Sequence, residues 1–230
     1  MALFDLSAST YDSWCSTEIG SFVDHLEKDV IFQLALPQKG ECALDLGCGT
    51  GIYSIWLARM GLKVTGIDTS LNMLEIAKEK SAAASLDIDF IQADIHQLPF
   101  ADETFDLIVG NIVLEFVDEP QQVMKEVFRV LKKGGRFVCG FIGKDSSWGK
   151  KYQKQGQEKA ESVFANANFF SPETVRNLFS FPVDKIQLGL FFADDEFVNC
   201  TQAATIERDR LKQAIEKDAG YFAVRWKKLK

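Results

Sequence analysis

The stretch Leu44-Asp45-Leu46-Gly47-Cys48-Gly49-Thr50-Gly51 is the part of this sequence that decides the fold. It joins an apolar segment of strand length, residues 42–46, to a segment with helical periodicity over residues 52–60. Glycines between a strand and a helix let the backbone turn tightly and approach a ligand closely. The helix that follows offers unpaired N–H groups and a partial positive charge, so the stretch predicts a site for a phosphate or a carboxylate.

Outward from this stretch, apolar segments of strand length alternate with segments of helical period. Such alternation is typical of βαβ units and a mainly parallel sheet. Two strand-like segments near the C-terminus are expected to close one edge of the sheet as an antiparallel pair. We therefore predict a doubly wound α/β fold with a mainly parallel seven-stranded sheet whose last strand is antiparallel. The predicted strands are residues 42–46, 63–67, 88–92, 105–111, 136–141, 183–192 and 221–228, and the predicted helices are residues 19–35, 52–60, 71–82, 120–131, 172–179 and 205–217.

The chain of 230 residues is long enough to bury one core, and we expect a single elaborated domain with three parts. Residues 1–40 form a helical cap that carries an amphipathic helix. Residues 41–142 form the cofactor-binding α/β core. Residues 143–230 form a substrate-covering insertion with several aromatic side chains, followed by the C-terminal helices and the last two strands of the same domain.

Composition and charge exclude several classes of protein. The formal net charge of −7 argues against a nucleic-acid partner, because such partners generally demand a basic face. Five cysteines without a Cys-x-x-Cys pair and only two histidines give no recognisable zinc site, and they indicate a reduced, cytoplasmic protein. No apolar run approaches the length of a membrane span, and the N-terminus does not resemble a secretory signal. We expect a monomer or a homodimer.

The spacing of the glycines bears on the ligand. A dinucleotide fingerprint, Gly-x-Gly-x-x-Gly, would require a third glycine where Ile52 stands. The sequence instead has Gly47-x-Gly49-x-Gly51, preceded by Asp45 inside an otherwise apolar strand. A buried carboxylate needs donors or a cation nearby, and S-adenosylmethionine carries an ammonium group and a positively charged sulfur. The glycines alone also allow a strand-to-helix turn that binds no ligand.

Two further carboxylates end predicted strands. Asp68 follows the second strand, where an acidic side chain accepts both hydroxyls of a ribose in NAD or in an adenosyl ligand. Asp68 also fits a helix cap, because Thr69 and Ser70 lead into a helix. Asp94 follows the third strand and can bind an adenine amino group, although aspartate is common in turns.

Together these residues resemble class I S-adenosylmethionine-dependent methyltransferases of the broad small-molecule type. The resemblance covers roughly residues 40–142 and the strand-like end near residues 221–228. The first motif of the family matches residues 44–51, the second matches residues 66–74, and the third matches residues 93–94 with 98–100. Residues 105–109 with Asn111, and residues 130–135, resemble its fourth strand and the turn before its fifth.

The resemblance implies a Rossmann-like methyltransferase fold, S-adenosylmethionine as cofactor, no metal, and methyl transfer to a small-molecule acceptor by direct displacement. It implies that Asp45 and the backbone of residues 47–49 hold the methionine part, and that Asp68 takes the ribose. It implies that Thr69 and Met73 flank the adenine, that Asp94 and Ile95 bind its edge, that Asn111 lies beside the cofactor, and that Tyr11 folds over it. The implied cofactor-binding set is Tyr11, Asp45, Gly47, Cys48, Gly49, Gly51, Asp68, Thr69, Met73, Asp94, Ile95 and Asn111.

The sequence departs from the family at two points. Glu115 stands where many members carry a histidine, so a histidine-based proton relay is not expected there. The Asn/Asp-Pro-Pro-Tyr/Phe tetrad of nucleic-acid amino-methyltransferases is absent, because Asn111 is followed by Ile112 and Val113. This second departure agrees with the acidic net charge.

Direct displacement at a sulfonium demands alignment and exclusion of water, and it needs a general base only if the acceptor must lose a proton. We expect the acceptor under the N-terminal segment and the aromatic stretch 143–170, with Phe191 and Phe192 closing over it. No catalytic residue is assigned, since each possible base also fits a structural or surface role. Two other functions stay open, an NAD(P)-dependent oxidoreductase and a non-catalytic module that binds the cofactor. The possible bases are His25, Tyr152, Glu115 and Asp194.

Overall fold

The computed structural model describes the backbone of residues 8–229 and the side chains of residues 12–229. A seven-stranded sheet runs through this part of the chain in the order β3-β2-β1-β4-β5-β7-β6. β7 is antiparallel to both of its neighbours and the other pairs are parallel, which confirms the predicted sheet. The strands are β1 Cys42–Leu46, β2 Lys63–Asp68, β3 Asp89–Gln92, β4 Phe105–Asn111, β5 Leu131–Ile142, β6 Val183–Gly189 and β7 Tyr221–Lys227.

Helices cover both faces of the sheet, and short 3-10 turns lie between some of the elements. Within residues 8–229, no helix combines the length and the apolar character needed to cross a membrane. The helices are α1 Ala8–Cys15, α2 Glu18–Ala35, α3 Ile52–Arg59, α4 Leu71–Ala83, α5 Pro120–Val130, α6 Ser147–Glu158, α7 Pro172–Leu178 and α8 Cys200–Leu211. The 3-10 turns are Leu114–Phe116, Val163–Asn166, Asp194–Glu196 and Glu216–Asp218.

Three predicted boundaries are wrong, each for a local reason. β5 begins at Leu131 instead of residue 136, because Leu131 pairs with Phe105 directly after α5 ends. β6 ends at Gly189 instead of residue 192, because Leu190 takes a positive φ of 60° that turns the backbone out of the strand. α8 covers Cys200–Leu211 instead of residues 205–217, because the Asn199 side chain accepts from the backbone N–H of Gln202 and caps the helix earlier.

α6 forms where the sequence pattern predicted no regular element. Ser146 caps it by accepting a hydrogen bond from the backbone N–H of Gly149 at 3.0 Å. Trp148 in its first turn is fully buried, and its indole N–H donates to the carbonyl of Phe192 at 2.7 Å. The cap and this one buried aromatic anchor hold an otherwise polar helix against the core, which explains why hydrophobic periodicity did not reveal it.

The core has two layers because side chains alternate across the pleated strands. Leu44 and Leu46 of β1 pack on the face covered by α5 and α7. Ala43 packs on the opposite face, which is covered by α2 and α3. Both layers contain buried aromatic side chains, which explains much of the heavy use of phenylalanine. In the layer covered by α5 and α7, Phe137 stacks on Trp226 with centroids 5.4 Å apart, and Phe141 stacks on Phe222 with centroids 5.1 Å apart.

The order of the strands fixes where a ligand can bind. The chain runs from β1 outward to β2 and β3, and then returns to place β4 on the other side of β1. Ligands of open α/β sheets bind at such a switch point, beyond the carboxyl ends of the strands. The glycine run after β1, Asp68 at the end of β2 and Asn111 at the end of β4 therefore meet at one edge of the sheet.

Candidate cofactor and acceptor site

The glycine run adopts the left-handed backbone that its residue types permit. Gly47, Gly49 and Gly51 have φ values of 70°, 51° and 78°. A Cβ at Gly47 would lie 2.5 Å from Val113 Cγ2, and a Cβ at Gly51 would lie 3.0 Å from the Cβ of Ala77 in α4. A Cβ at Gly49 would have no neighbour within 4 Å. Gly47 and Gly51 therefore serve close packing, whereas Gly49 borders open space that a ligand can fill.

A cavity of about 290 Å³ opens beside Gly49, and we call it the smaller cavity. Its wall contains Asp68 from the end of β2 and the loop that follows β3. His96, which the sequence analysis did not assign to the site, also lies in this wall. Eight of the predicted cofactor-binding residues line the smaller cavity, namely Gly47, Gly49, Asp68, Thr69, Met73, Asp94, Ile95 and Asn111.

Asp68 is held in place by two backbone donors. Its Oδ2 accepts from the N–H of Gly49 at 2.9 Å, and its Oδ1 accepts from the N–H of Ser70 at 2.9 Å. The cap of α4 is Ser70, whose hydroxyl accepts from the N–H of Met73 at 3.2 Å, so helix capping does not account for Asp68. Each carboxylate oxygen has a second lone pair, which allows Asp68 to accept hydroxyl groups from the cavity as well.

Asp94 lies at the outer rim of the smaller cavity. Its Oδ1 accepts from the backbone N–H of His96 at 2.9 Å and lies 2.7 Å from His96 Nδ1. These contacts, the backbone N–H first, hold the pKa of the Asp94 carboxyl below its usual value. The carboxylate is therefore ionised at neutral pH and can accept from a donor such as an exocyclic amino group.

A second cavity of about 430 Å³, the larger cavity, lies between α2, α6 and the glycine run. It shares four wall residues with the smaller cavity, so the two cavities meet at the ends of β1 and β4. A ligand can therefore extend from one cavity into the other. The shared residues are Gly47, Gly49, Asn111 and Ile112. The other wall residues of the larger cavity include Glu27, Asp45, Cys48, Tyr53, Trp148, Tyr152 and Phe164.

Asp45 is buried in the floor of the larger cavity, with only 2 % of its surface exposed. Its Oδ2 accepts from the hydroxyl of Ser54 at 2.6 Å. Burial raises the pKa of the Asp45 carboxyl to about 7. A cation bound in the cavity would favour the ionised form, so Asp45 can be ionised and pair with an ammonium group at this position.

α1 is tied to the glycine run through Asp12. The hydroxyl of Thr50 donates to Asp12 Oδ1 at 2.6 Å, and Lys80 Nζ of α4 contacts Asp12 Oδ2 at 2.5 Å. We call these three residues the α1 latch. The backbone of Tyr11 lies in α1 beside the latch, but its side chain falls outside the part of the chain whose side chains the structure describes.

Asn111 belongs to a chain of hydrogen bonds that sequence reasoning missed. The Tyr221 hydroxyl donates to Asn111 Oδ1 at 2.5 Å, and Asn111 Nδ2 donates to Glu27 Oε2 at 3.1 Å. A Cβ at Gly140 would collide with the Tyr221 hydroxyl, so glycine leaves room for this chain. Glu27 could have been noticed because it interrupts the apolar side of α2 between Val23 and Ile31. Tyr221 carries no comparable signal in the sequence.

The four possible bases take different positions. Tyr152 lines the larger cavity, and burial raises the pKa of its hydroxyl well above the usual value. Glu115 is fully buried, its Oε1 accepts from the N–H of Ile142 at 2.9 Å, and burial raises its pKa to about 8. His25 is exposed and contacts the carbonyl of Ser21, while Asp194 forms an ion pair with Lys151 at 2.6 Å.

The expectation that Phe191 and Phe192 close over an acceptor is wrong. Phe191 is 4 % exposed and Phe192 is fully buried. Phe192 packs edge-on against Trp148, with ring centroids 5.9 Å apart, and also against Phe22, with centroids 5.7 Å apart. The positive φ of Leu190 turns both rings into the core instead of toward the cavity.

The family model described as "Methyltransferase domain" matches residues 44–139, which span β1 to β5. An uncharacterised protein of Methanocaldococcus jannaschii is 34% identical over 175 residues, a match that covers 76% of this chain and 77% of that protein. The likeness to this relative therefore extends well beyond the region that carries the motifs.

Relatives with named activities match the central region. The demethylmenaquinone methyltransferase of Clavibacter sepedonicus is 38% identical over 141 residues, covering 61% of this chain and 57% of that enzyme. The enzyme of the same name from Listeria monocytogenes is 36% identical over 142 residues, covering 60% of this chain and 59% of that enzyme. The chain thus matches less than two thirds of the length of these two enzymes.

Solved structures share the fold over nearly the whole chain. A crystal structure from Thermotoga maritima, described as an S-adenosylmethionine-dependent methyltransferase and possible histamine N-methyltransferase, matches with a TM-score of 0.74 and 23% identity, covering 98% of each chain. Phosphoethanolamine N-methyltransferase 2 of Haemonchus contortus, in complex with S-adenosylmethionine, matches with a TM-score of 0.67 and 16% identity, covering 98% of this chain and 57% of that one. The family match, which includes residues 44–51, assigns the glycine run to methyltransferases instead of nicotinamide oxidoreductases. Residues 44–139 thus belong to the methyltransferase domain family, with S-adenosylmethionine as the cofactor, and the whole chain has the fold of class I S-adenosylmethionine-dependent methyltransferases.

Proposed function

We propose that this chain transfers the methyl group of S-adenosylmethionine to a small-molecule acceptor held in the larger cavity. The observation that carries this proposal is the junction of the two cavities at Gly49 and Asn111. One side of the junction offers acceptors for a nucleoside, and the other side offers space with carboxylate and aromatic walls. A methyl donor bound across the junction would present its reactive carbon to a molecule in the larger cavity.

The described residues fit the cofactor. Asp68 would accept the ribose hydroxyls, Asp94 with Ile95 would bind the adenine edge, and Thr69 with Met73 would flank the ring. The open side of Gly49 supports a close approach of the ligand to the backbone. Asp45, with the backbone of Gly47 and Cys48, would hold the methionine part from the larger cavity. S-adenosylmethionine, when bound, supplies a methyl group activated by a positively charged sulfur.

The task left to the protein is to align the acceptor and exclude water. α6 contributes Trp148 and Tyr152 to the wall, and Phe164 stacks on Tyr152 with centroids 4.5 Å apart. The α1 latch would hold α1 over the glycine run once the ligands are in place. These positions support the proposed division of the chain, in which residues 1–40 form a cap and residues 143–230 cover the substrate.

The size and charge of the site support a small acceptor. A volume of about 430 Å³ lies within the range of about 300–1,000 Å³ that small-ligand sites occupy. The net charge of −7 speaks against an acceptor group on nucleic acid. The bacterial relatives are named demethylmenaquinone methyltransferases, so a quinol-type probe belongs among the acceptors to be tested.

Calorimetry tests the cofactor part of the proposal. We expect S-adenosylmethionine and S-adenosylhomocysteine to bind with saturable heat and NADH to give none. Transfer of labelled methyl groups into a metabolite extract tests the activity, and we expect at least one labelled small molecule. Binding of NADH alone would contradict the proposal. Tight cofactor binding without any labelled product would instead indicate a non-catalytic binding module.

A further inference from the structure

The larger cavity is acidic, and its charges are unevenly paired. Its described wall carries three carboxylates and one ammonium group, which are Asp24, Glu27, Asp45 and Lys151. Asp24 is paired with Lys28 at 2.6 Å, and Lys151 is paired with Asp194 at 2.6 Å. In the described wall, two carboxylates therefore have neutral partners. Glu27 accepts from the Asn111 amide at 3.1 Å, and Asp45 accepts from the Ser54 hydroxyl at 2.6 Å.

A carboxylate that faces a cavity without a cationic partner is costly to keep ionised. Burial accordingly raises the pKa of both Glu27 and Asp45 to about 7. Asp45 lies directly before the glycine run, and under the proposed function it faces the ammonium group of the methionine part. Glu27 lies on α2, on the opposite wall, and has no assigned cation. A second bound cation would therefore balance the charge of Glu27.

The wall of the larger cavity also contains aromatic side chains. The rings of Tyr152 and Phe164 stack with centroids 4.5 Å apart and an angle of 27° between their planes. The buried ring of Trp148 packs beside Tyr152 with centroids 6.1 Å apart, and Lys151 Nζ lies 5.2 Å from the Trp148 centroid. All three rings line the same cavity as Glu27. Organic cations bind favourably over the faces of aromatic rings, above all where a carboxylate balances their charge. A quinone or phenol would gain from the rings but not from the carboxylate.

We propose that the methyl acceptor is an organic amine, which binds as a cation between Glu27 and the aromatic wall and loses its proton to Glu27 before methylation. This inference rests on the proposed function and specifies its substrate class. Asn111 holds Oε2 of Glu27, and Oε1 is the oxygen that we assign to the acceptor. The Tyr221 hydroxyl fixes the orientation of the Asn111 amide, so Asn111 and Tyr221 act as positioning residues.

The chemistry requires a proton acceptor because a protonated amine has no lone pair. Glu27 takes one proton from the ammonium group, and the freed nitrogen lone pair forms the carbon–nitrogen bond while the carbon–sulfur bond breaks with its electron pair left on sulfur. The product is a methylated ammonium ion, so the balance is one proton released to Glu27 per transfer. A pKa near 7 makes Glu27 a better base for this step than an ordinary glutamate.

Charged and titratable groups on several elements face Glu27 and bear on its titration. Asp24 raises the pKa of Glu27 and Lys28 lowers it, both from α2 itself. The other groups are Cys15 of α1, Glu115 of the 3-10 turn after β4, Tyr152 of α6 and Tyr221 of β7. Amine binding should therefore strengthen as the pH rises through about 7, where Glu27 becomes ionised, until the amine itself loses its charge.

Equilibrium binding tests the proposal without turnover. The full chain is saturated with S-adenosylhomocysteine, whose sulfur is neutral, and titrated with matched pairs of cationic and neutral probes. The pairs are tryptamine with tryptophol and phenethylamine with 2-phenylethanol, and 1,4-dihydroxynaphthalene represents hydroxylated aromatics. We expect each amine to bind at least about tenfold more tightly than its alcohol, as one lost charge pair in a part-buried site implies. Equal binding of amine and alcohol, no amine binding at all, or tighter binding of the naphthalene diol than of either amine would overturn the proposal.

Glu27→Gln keeps the shape of the side chain and removes its charge. We expect this variant to lose the preference for amines while its affinity for S-adenosylhomocysteine changes less than about threefold. Asp29→Asn removes the same charge from an exposed position of α2 and should keep the preference. Retained preference in Glu27→Gln would overturn the proposal. Weakened binding of S-adenosylmethionine but not of S-adenosylhomocysteine would assign Glu27 to the sulfonium instead, which also overturns it.

Two further readouts separate the possible failures. If the chain binds neither S-adenosylmethionine nor S-adenosylhomocysteine, the proposed function itself fails, whereas loss of amine preference with intact cofactor binding removes only this inference. In turnover, kcat/KM of the wild type should rise through about pH 7, and Glu27→Gln should lose this rise. If Glu27→Gln does not fold, the affinities of the wild type for each amine and its matched alcohol still test the proposal.

Discussion

Asp68 joins the glycine run to the start of α4, because its two oxygens accept from the N–H groups of Gly49 and Ser70. Asp68→Ala also removes two acceptors for the ribose hydroxyls. Since a hydrogen bond to a charged group contributes about 1.5–3 kcal/mol, we expect the affinity for S-adenosylhomocysteine to fall at least tenfold. Calorimetry measures the affinity, and thermal unfolding checks that the variant folds. Asp89→Ala, at the exposed start of β3, should leave the affinity unchanged. Unchanged affinity in Asp68→Ala would remove the ribose assignment.

Glu115 replaces the histidine of many relatives with a buried acid. Burial raises its pKa from the usual 4.5 to about 8, so the folded state holds a proton that the unfolded state loses. The contribution of Glu115 to the free energy of unfolding should therefore be fully present below about pH 4.5, and it should be lost as the pH rises toward 8. Glu115→Gln keeps an acceptor for the N–H of Ile142 and removes the titration.

We accordingly expect the unfolding temperature of Glu115→Gln to decline less between about pH 5 and about pH 9 than that of the wild type. The pKa values of Glu27 and Asp45 are also raised, so these two groups lower the stability in the same pH range. Part of the decline in unfolding temperature that the wild type shows should therefore remain in Glu115→Gln. Glu119→Gln, at an exposed position before α5, is the matched control and should follow the wild type. Parallel pH curves for Glu115→Gln and the wild type would contradict a titrating buried acid.

At the scale of elements, the α1 latch links α1 to the glycine run and to α4. Asp12 and Lys80 are each about one third exposed, with side-chain exposures of 37% and 31%. Partly exposed ion pairs contribute about 0.2–1 kcal/mol, so Lys80→Gln should speed the release of S-adenosylhomocysteine by about twofold to fivefold. Stopped-flow fluorescence measures this rate, and the effect should shrink at high salt because the pair is screened. Lys78→Gln, exposed on the same helix, should release the ligand at the wild-type rate. Equal rates in the two variants would show that the latch does not control release.

The sequence predicts the elements well where apolar periodicity and end signals agree. β1 and β4 have the predicted bounds, since continuous apolar runs mark strands buried on both faces. β5 starts earlier than predicted because its first residues look like a turn, with Gly134 and Gly135 among them, although the strand already pairs with β4 at Leu131. α6 was not predicted because its position depends on one helix cap and one buried tryptophan instead of on apolar periodicity.

The same contrast divides the site. Asp45, Asp68 and Asn111 were predictable because they lie at or next to the carboxyl ends of strands, which meet at the switch point. The contacts of Glu27 and Tyr221 with Asn111 were not predictable, because they join residues that lie 84 and 110 positions apart along the chain. Such contacts depend on tertiary packing, which local sequence patterns do not reveal.

For the whole molecule, the two cavities that we propose for the donor and the acceptor come from different parts of the chain. The smaller cavity is built from residues 47–117, inside the region that matches the methyltransferase family. The larger cavity adds walls from α1 and α2 before that region, and from α6 and the turn Val163–Asn166 after it. The motifs therefore identify the cofactor, whereas in the proposed function the acceptor contacts segments that the motifs do not cover.

A crystal structure of the chain with S-adenosylhomocysteine tests this account most directly. We predict that the adenosine lies in the smaller cavity with its ribose hydroxyls on Asp68. The sulfur should lie at the junction beside Gly49 and Asn111, and the amino group should face Asp45 in the larger cavity. An adenosine seated in the larger cavity, or a ligand bound away from the glycine run, would contradict the account.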